Sequence, residues 1–378
     1  MTDFLQGREL QEAVEEQLTD LRTDKSPVST QELLDQQYLP RLHGYTVQPG
    51  KVSDSIFGGK GGYRNKKNGE LIEFENPPLT TKDGLPLRIM VRTDRISTHD
   101  INRGSIPFKD QVLAMNHHAM REIVRQVHGF GTSQFDVPGL EETSVVIAAE
   151  NLQTIPLEMV MRRYMAKSST QTSLYHAYMK EGKREFCGHH LPEGLIVNGH
   201  LPYVMDTPST KSDEHDESVA PEELYQKKIC TPLQYLQLKN SCNLAFAKVW
   251  QFVEQQGLLL VDTKTEHGIN SKGEIVSQDE LYTLDSSRYW KKEEYQQQLE
   301  ELQEGTRTEL ELTSFSKEYA RDFSAGEKEY TPEQRMKIAV RYIESVQELL
   351  GKPFVPNLRS REERVVKGLE KVVSEIIT

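Results

Sequence analysis

The stretch from Thr231 to Leu281 constrains the fold of this 378-residue chain more tightly than any other. Thr231-Pro232 is a helix start, because a threonine hydroxyl caps the first turn and proline at the first helical position forfeits no hydrogen bond. Leu233, Leu236, Asn240 and Leu244 lead at helical intervals towards Val249, Phe252 and Val253, and Gly257 is the expected stop. The following LLLVDTKTEHG opens as an apolar run and then alternates. A period of two puts Asp262, Lys264 and Glu266 on one face, and Val261, Thr263 and Thr265 on the other. Asn270-Ser271-Lys272-Gly273 is a turn signal, so EIVSQDEL is expected to return antiparallel with Asp279 roughly opposite Glu266. A capped helix running into a hairpin with one strongly polar face belongs to a mixed α and β fold.

That polar face invites chemistry. Two convergent carboxylates, Glu266 and Asp279, with Lys264 nearby, make an oxygen-rich site for Mg²⁺ bridging nucleotide phosphates, since this ion takes one or two carboxylates and leaves its other positions to phosphate and water. A solvated face with incidental charges is the competing reading. The overall balance of 46 Lys and Arg against 58 Asp and Glu, a formal charge of −12, argues against a nucleic-acid binder, which needs a basic excess to neutralise phosphates. Cys187, Cys230 and Cys242 are widely spaced and odd in number, which suits a reducing compartment, and the expected location is the cytoplasm. No apolar run approaches the roughly 20 residues that span a bilayer, and Met1–Leu21 carries acidic residues in place of a basic start with an apolar centre. Neither secretion nor a membrane partner is expected.

Three zones follow along the chain. Residues 1–40 read as a helical extension, with Phe4, Leu5, Leu10, Val14 and Leu18 at helix-like intervals and Ser29–Glu32 as a capping box. Residues 41–292 hold every cluster of chemical interest. Beyond them, Thr331-Pro332 starts a helix through Met336, Ala339, Ile343, Val346 and Leu350, stopped by Gly351, and Ser360–Glu363 caps a last one through Val366, Leu369, Val373 and Ile376. The terminal helices are expected to pack on the outside of the core.

In the middle zone, VRTDRISTHD gathers Asp94, Ser97 and Asp100 where a strand gives way to a loop, and each is also an ordinary turn former. EMVMRRYMAKSS leads an apolar strand into Arg162, Arg163, Lys167 and Ser168, a pattern that suits phosphate as well as it suits a salt-bridged strand end. YTVQPGKVSDSIFGGKGG offers a glycine-rich connection whose amides could cover phosphates, without matching a P-loop. DTPSTKSDEHDE packs Lys211, His215 and Asp216 into one loop, which reads either as a charged linker or as a substrate loop.

Taken in order, PGKVSD, TDRISTHD, IPFKDQVL, MRRYMAKSS, TPSTKSDEHDE, LVDTKTEHG and SQDELYTLDSSRYW resemble the successive motifs of the SAICAR synthetases, over about residues 45–292. TPSTKSDEHDE and DSSRYW are the most specific of them. The resemblance implies an α+β, two-lobed, kinase- or ATP-grasp-like fold with additional N- and C-terminal helices. A sheet-rich lobe over 41–150 would cover nucleotide, a second lobe over 151–292 would bind substrate and nucleotide, and helices over 293–378 would pack on the core. It implies an ATP-dependent ligase that joins the aminoimidazole carboxylate CAIR to L-aspartate, with ATP and Mg²⁺, and leaves room for a homo-oligomer.

By the same resemblance Lys211 lies near the acidic reactants, Asp216 contacts the aminoimidazole and His215 fixes the loop, while Lys109 is retained from the Ile-Pro stretch as a further catalytic candidate. Arg162, Ser168 and Arg288 fall on the ribose-phosphate positions, and Asp94, Ser97 and Asp100 on a substrate-binding stretch. Glu266 and Asp279 fall on the metal and nucleotide positions, with Lys264 and Lys51 beside the nucleotide. Three departures stand out. Ser53 replaces a usual basic residue, Phe108-Lys109-Asp110 replaces Gly-Lys-Gly, and Lys167 replaces a glycine. They admit a silent or acceptor-altered homologue as an alternative to the ligase.

Overall fold

The computed structural model describes residues 7–22, 29–36, 39–65, 69–98, 101–211, 217–315, 317–323 and 329–377. Two sheets organise them. A four-stranded antiparallel sheet runs Gln48–Pro49, Ser53–Phe57, Leu87–Arg92, Val146–Glu150. Only Asn151 and Leu152 separate its last strand from Gln153–Tyr164, which enters a seven-stranded sheet and pairs there with Leu258–Ile269. The glycine-rich stretch 59–62 is itself strand, in the hairpin of Gly59–Arg64 with Leu71–Asn76, so it is not a connection between strands.

The helix Pro232–Gln255 begins where expected, with the Thr231 hydroxyl accepting from the Gln234 amide in a capping box. Its buried face differs from the expected one. Tyr235, Leu238, Cys242, Ala245, Phe246, Val249 and Val253 are buried, whereas Leu233, Leu236 and Leu244 are 65%, 52% and 55% exposed. Both stripes are helical, and one polar bond favours the buried one: Tyr235 donates its hydroxyl to the buried Asp206 carboxylate at 2.6 Å, which needs that face turned inward. The hairpin also differs by one residue, since Glu266 pairs with Gln278. Asp279 follows the strand at φ 63°, in the left-handed region, and so leaves the ladder instead of facing Glu266 across it.

The terminal helices each turn one face into a buried cluster. Leu10 and Val14 of Gly7–Arg22, and Ile338, Ala339, Tyr342, Ile343, Val346 and Leu349 of Pro332–Leu350, belong to the largest buried cluster together with Val112, Leu238 and Leu260. Val365, Leu369 and Val372 of Arg361–Glu375 are buried in a second cluster against Ile89, Val91 and Val146 of the four-stranded sheet. Capping boxes at Ser29, Thr331 and Ser360 hold as read, and Gly351 ends its helix at φ 62°. No helix of the described residues is long and apolar enough to cross a membrane.

Candidate active site

The site is built on one face of the seven-stranded sheet. Gln153–Tyr164 and Leu258–Ile269 are antiparallel with Glu158 opposite Glu266, Val160 opposite Lys264, and Arg162 opposite Asp262. Residues paired in this way project to the same side. On the next strand Arg288 is paired with Asp262, and Ser209 is paired with Glu158. The face therefore carries a row of Arg162, Asp262 and Arg288 at one end and a row of Ser209, Glu158 and Glu266 at the other. Four residues of strand, about 13 Å, separate the rows.

At the basic end one buried carboxylate holds both arginines. Asp262 accepts from Arg162 Nη1 at 2.9 Å and from Arg288 Nε at 2.9 Å, with a further contact from Arg288 Nη2. Arg162 Nε donates to the Thr207 hydroxyl at 2.9 Å, and Arg288 Nη1 to the Lys167 carbonyl at 3.0 Å. Burial opposes the charge on Asp262, but Arg288 and Arg162 outweigh it and hold the carboxyl below its ordinary range. Burial lowers Arg162, with Asp262 only partly restoring it, whereas for Arg288 the same carboxylate overcomes burial and raises it. Two cations share one anion, so the row is suited to a further anion. It forms part of a cleft of about 580 Å³ that is also lined by Ser168, Lys264, Asp285, Lys317 and Arg321.

At the acidic end the lysines gather. Lys264 Nζ donates to Glu158 at 3.0 Å, Lys211 is paired with Glu266, and Lys51 on the turn before Ser53–Phe57 acts on Glu158 through space. The Lys211 amide donates to the Pro156 carbonyl at 3.2 Å, which continues the pairing of Ser209–Thr210 with this strand. Burial, then Asp279 and Glu158, push the Glu266 carboxyl up, against the pull of Lys211. For Lys211 burial works against the charge, and Glu266 more than restores it. Among the described residues no group of three or more His, Cys, Asp or Glu is placed to hold a metal unaided. Glu266 and Asp279 are nonetheless hard oxygen donors close enough to repel, a donor set that fits a cation bringing phosphate ligands of its own.

Other expected residues lie elsewhere. Lys109 is fully buried and bonded to Asp285 at 2.8 Å, and Asp285 also accepts the Tyr342 hydroxyl at 2.6 Å. Asp285, not Lys109, lines the cleft. Asp94 accepts from the Ser105 hydroxyl at 3.0 Å, and its carboxyl is raised by burial and by Asp110 while Arg361 opposes. Neither it nor the buried Ser97 borders the cleft. Asp100, His215 and Asp216 fall outside the described residues.

Glu158 and Asp285 were not singled out in the sequence, and Asp262 was placed on the polar strand face without a role. Strand alternation from Arg162 back to Glu158 would have identified the first. Asp285 stood in the quoted DSSRYW.

Two of the three departures are also placed. Phe108 sits at φ 59°, a conformation that favours glycine, with its ring 6.2 Å from that of Phe354, and Asp110 is bonded to Arg364 at 2.9 Å. Both replacements thus contact the C-terminal segment. Lys167 has no left-handed backbone, and its amide donates to Asn198 while its carbonyl holds Arg288.

Comparison with known proteins gives the same direction. The family model for SAICAR synthetase matches residues 80–337. A putative phosphoribosylaminoimidazole-succinocarboxamide synthase 2 of Agrobacterium fabrum is 32% identical over 281 residues, covering 71% of this chain and 84% of that protein. The phosphoribosylaminoimidazole-succinocarboxamide synthase of Legionella pneumophila strain Paris is 32% identical over 273 residues, with 71% and 84% covered. In structure, the SAICAR synthase of Saccharomyces cerevisiae complexed with SAICAR superposes with a TM-score of 0.60 at 21% identity, covering 82% of this chain and 97% of that one, a likeness of fold. A type-2 SAICAR synthetase in complex with ADP superposes with a TM-score of 0.56 at 17% identity, covering 82% and 100%. With a family model spanning most of the chain, relatives covered over most of their length, and the motif residues converging on one sheet face, the chain belongs to the SAICAR synthetase family.

Proposed function

We propose that the protein is an ATP-dependent ligase that joins CAIR and L-aspartate to form SAICAR, releasing ADP and phosphate. The observation that carries this reading is the order of charge along the two paired strands: arginines sharing one aspartate at one end, carboxylates ringed by lysines at the other. A substrate phosphate fits the basic row, held by Arg162, Arg288 and Ser168. Nucleotide phosphates fit the other end, with Lys51 and Lys264 as counter-charges. Glu266 and Asp279 would hold Mg²⁺, which when bound neutralises the phosphates being transferred.

A carboxylate is a poor electrophile, so activation must come first. The CAIR carboxylate oxygen attacks the γ-phosphorus of ATP and ADP leaves, giving an acyl phosphate. The unprotonated amine of L-aspartate then attacks the carbonyl carbon, the C–O bond to phosphate breaks, and the amide forms as the nitrogen loses its proton. The part of this chain is to fix the anionic ends and hold the reacting carboxylate in line with the nucleotide. Lys211, paired with Glu266, would accompany the carboxylate, and Lys109, bonded to Asp285, would set that residue on the cleft wall. The silent alternative loses support, because Phe108 and Asp110 are accounted for by packing with the C-terminal segment. We also infer a reducing compartment, consistent with cytoplasm, from three cysteines that are all free.

ADP release measured with ATP, CAIR and a panel of amines tests the reading. Release is expected only when CAIR and L-aspartate are both present. Failure of every combination would overturn it in favour of a binding protein, and release with another amine would reassign the acceptor.

A further inference from the structure

The face that helix Pro232–Gln255 turns to solvent carries Leu233, Leu236 and Leu244, the leucines whose spacing alone points to a core. Asn240 and Ala247 are exposed on the same side. At about 100° per residue all five fall within an arc of about 80°, so they form one stripe. From Leu233 to Ala247 it runs about 21 Å at 1.5 Å per residue.

The stripe is nearly free of charge. Charged residues make up 28% of the chain, yet this 24-residue helix holds Lys239, Lys248 and Glu254 alone. Lys239 is turned to Asp206 and Glu254 is bonded to Lys292, which leaves Lys248 at the edge of the stripe. Gln237 and Asn243 flank it as neutral amides. Depletion of charge, more than apolar content, is what marks the centre of a protein interface.

The order of the residues identifies the partner. Counted from Asn240, leucines stand at −4 and +4, Leu233 and Ala247 at −7 and +7, and the two amides at −3 and +3. The stripe thus reads alike in both directions, which is the condition for an isologous contact. A two-fold axis through Asn240 sets Leu236 against the partner's Leu244 and the large Leu233 against the partner's small Ala247. The two Asn240 amides, each both donor and acceptor, can then bond one another on the axis.

We propose that this face joins two copies of the chain through an antiparallel pair of Pro232–Gln255 helices, related by a two-fold axis at Asn240. Two such stripes with their flanks cover on the order of 1,000 Å² in total, the lower end for a specific interface, so the dimer dissociates in the range of about 1–100 µM. No residue of the helix lines the cleft, and the pairing leaves that lining intact.

Sedimentation velocity of the full chain between about 1 and 200 µM tests the proposal. Wild type should pass from monomer to dimer across that range. Leu236→Lys and Leu244→Glu should each weaken association about 100-fold or more, because the symmetry buries each unpaired charge twice. The double variant Leu236→Lys, Leu244→Glu should return to within about tenfold of wild type, since each introduced lysine then meets the glutamate introduced on the other chain. Positions eight apart on one helix are about 12 Å from each other, too far for that rescue to arise within a chain. Asn240→Asp, close in shape to the original, should also dissociate the dimer by setting two carboxylates face to face on the axis. Both leucines are more than half exposed, so the variants should keep the thermal midpoint of the wild-type monomer by circular dichroism. A wild type that stays monomeric throughout, a dimer indifferent to the single variants, or a double variant no better than either single one would each overturn the proposal.

Discussion

Asp206 shows how much a single buried residue can carry. It is 2% exposed, yet three partners converge on its carboxylate: His189 Nε2 at 3.3 Å, Lys239 Nζ at 3.0 Å and the Tyr235 hydroxyl at 2.6 Å. Burial alone would raise its pKa, but these bonds draw it down from 3.8 to about 2, and the bond to Asp206 in turn raises His189 despite burial. Since the folded value of Asp206 is depressed, its contribution is present above about pH 4 and is lost as the pH falls through about 2. For His189, raised in the fold, the contribution is full below about pH 6.5 and is lost as the pH rises through its folded value. Asp206→Asn should therefore cost about 2 kcal/mol near pH 5–6 and flatten the loss of stability between about pH 4 and 2. Urea unfolding at a series of pH values would measure both, and an unaltered acid slope would show that the three bonds contribute nothing net. Thr207, next in sequence, accepts from Arg162, so the same variant reports on how firmly the basic row is seated.

At the scale of elements, the sequence made most of the site's framework legible. The alternation of Asp262, Lys264 and Glu266, the turn at 270–273 and the four capping boxes were all readable from local rules, because each depends on a few neighbouring residues. Choices decided by distant partners were not. The buried face of Pro232–Gln255 depends on Asp206, and the displacement of Asp279 depends on a left-handed residue at the end of its strand. The catalytic expectation for Lys109 missed its burial behind Asp285, a residue 176 positions away.

The ion pair that ties Arg361–Glu375 to the start of Lys109–Val124 is of the same kind. Arg364 neutralises an Asp110 that is 1% exposed and stands near a second acid, Asp94. Arg364→Ala leaves that charge buried without its ion-pair partner, with only the Gln111 amide donating to it, and should cost about 3–5 kcal/mol. Adding Asp110→Asn should return a large part of it, because the amide needs no counter-charge. Denaturant midpoints of the two variants would decide, and equal loss in single and double variants would mean that the helix docks by its apolar face alone.

For the molecule as a whole, the ion pairs in the site and behind it join segments that are far apart in the chain. Arg162 and Asp262 are 100 positions apart, Lys109 and Asp285 176, and Asp110 and Arg364 254. Such closures cost chain entropy before any contact repays it, so they form late relative to local helices and hairpins. The consequence lies in time. A chain still emerging during synthesis can complete both sheets up to Ser287–Lys291 and yet lack the helix Pro332–Leu350, whose Tyr342 braces Asp285, and the Arg364 that steadies the start of Lys109–Val124. On dilution from denaturant, far-ultraviolet circular dichroism should recover well before ADP formation does. Simultaneous recovery of the two signals would refute this order, whereas a lag would mean that newly made molecules pass through a period of being folded in outline and inert in chemistry.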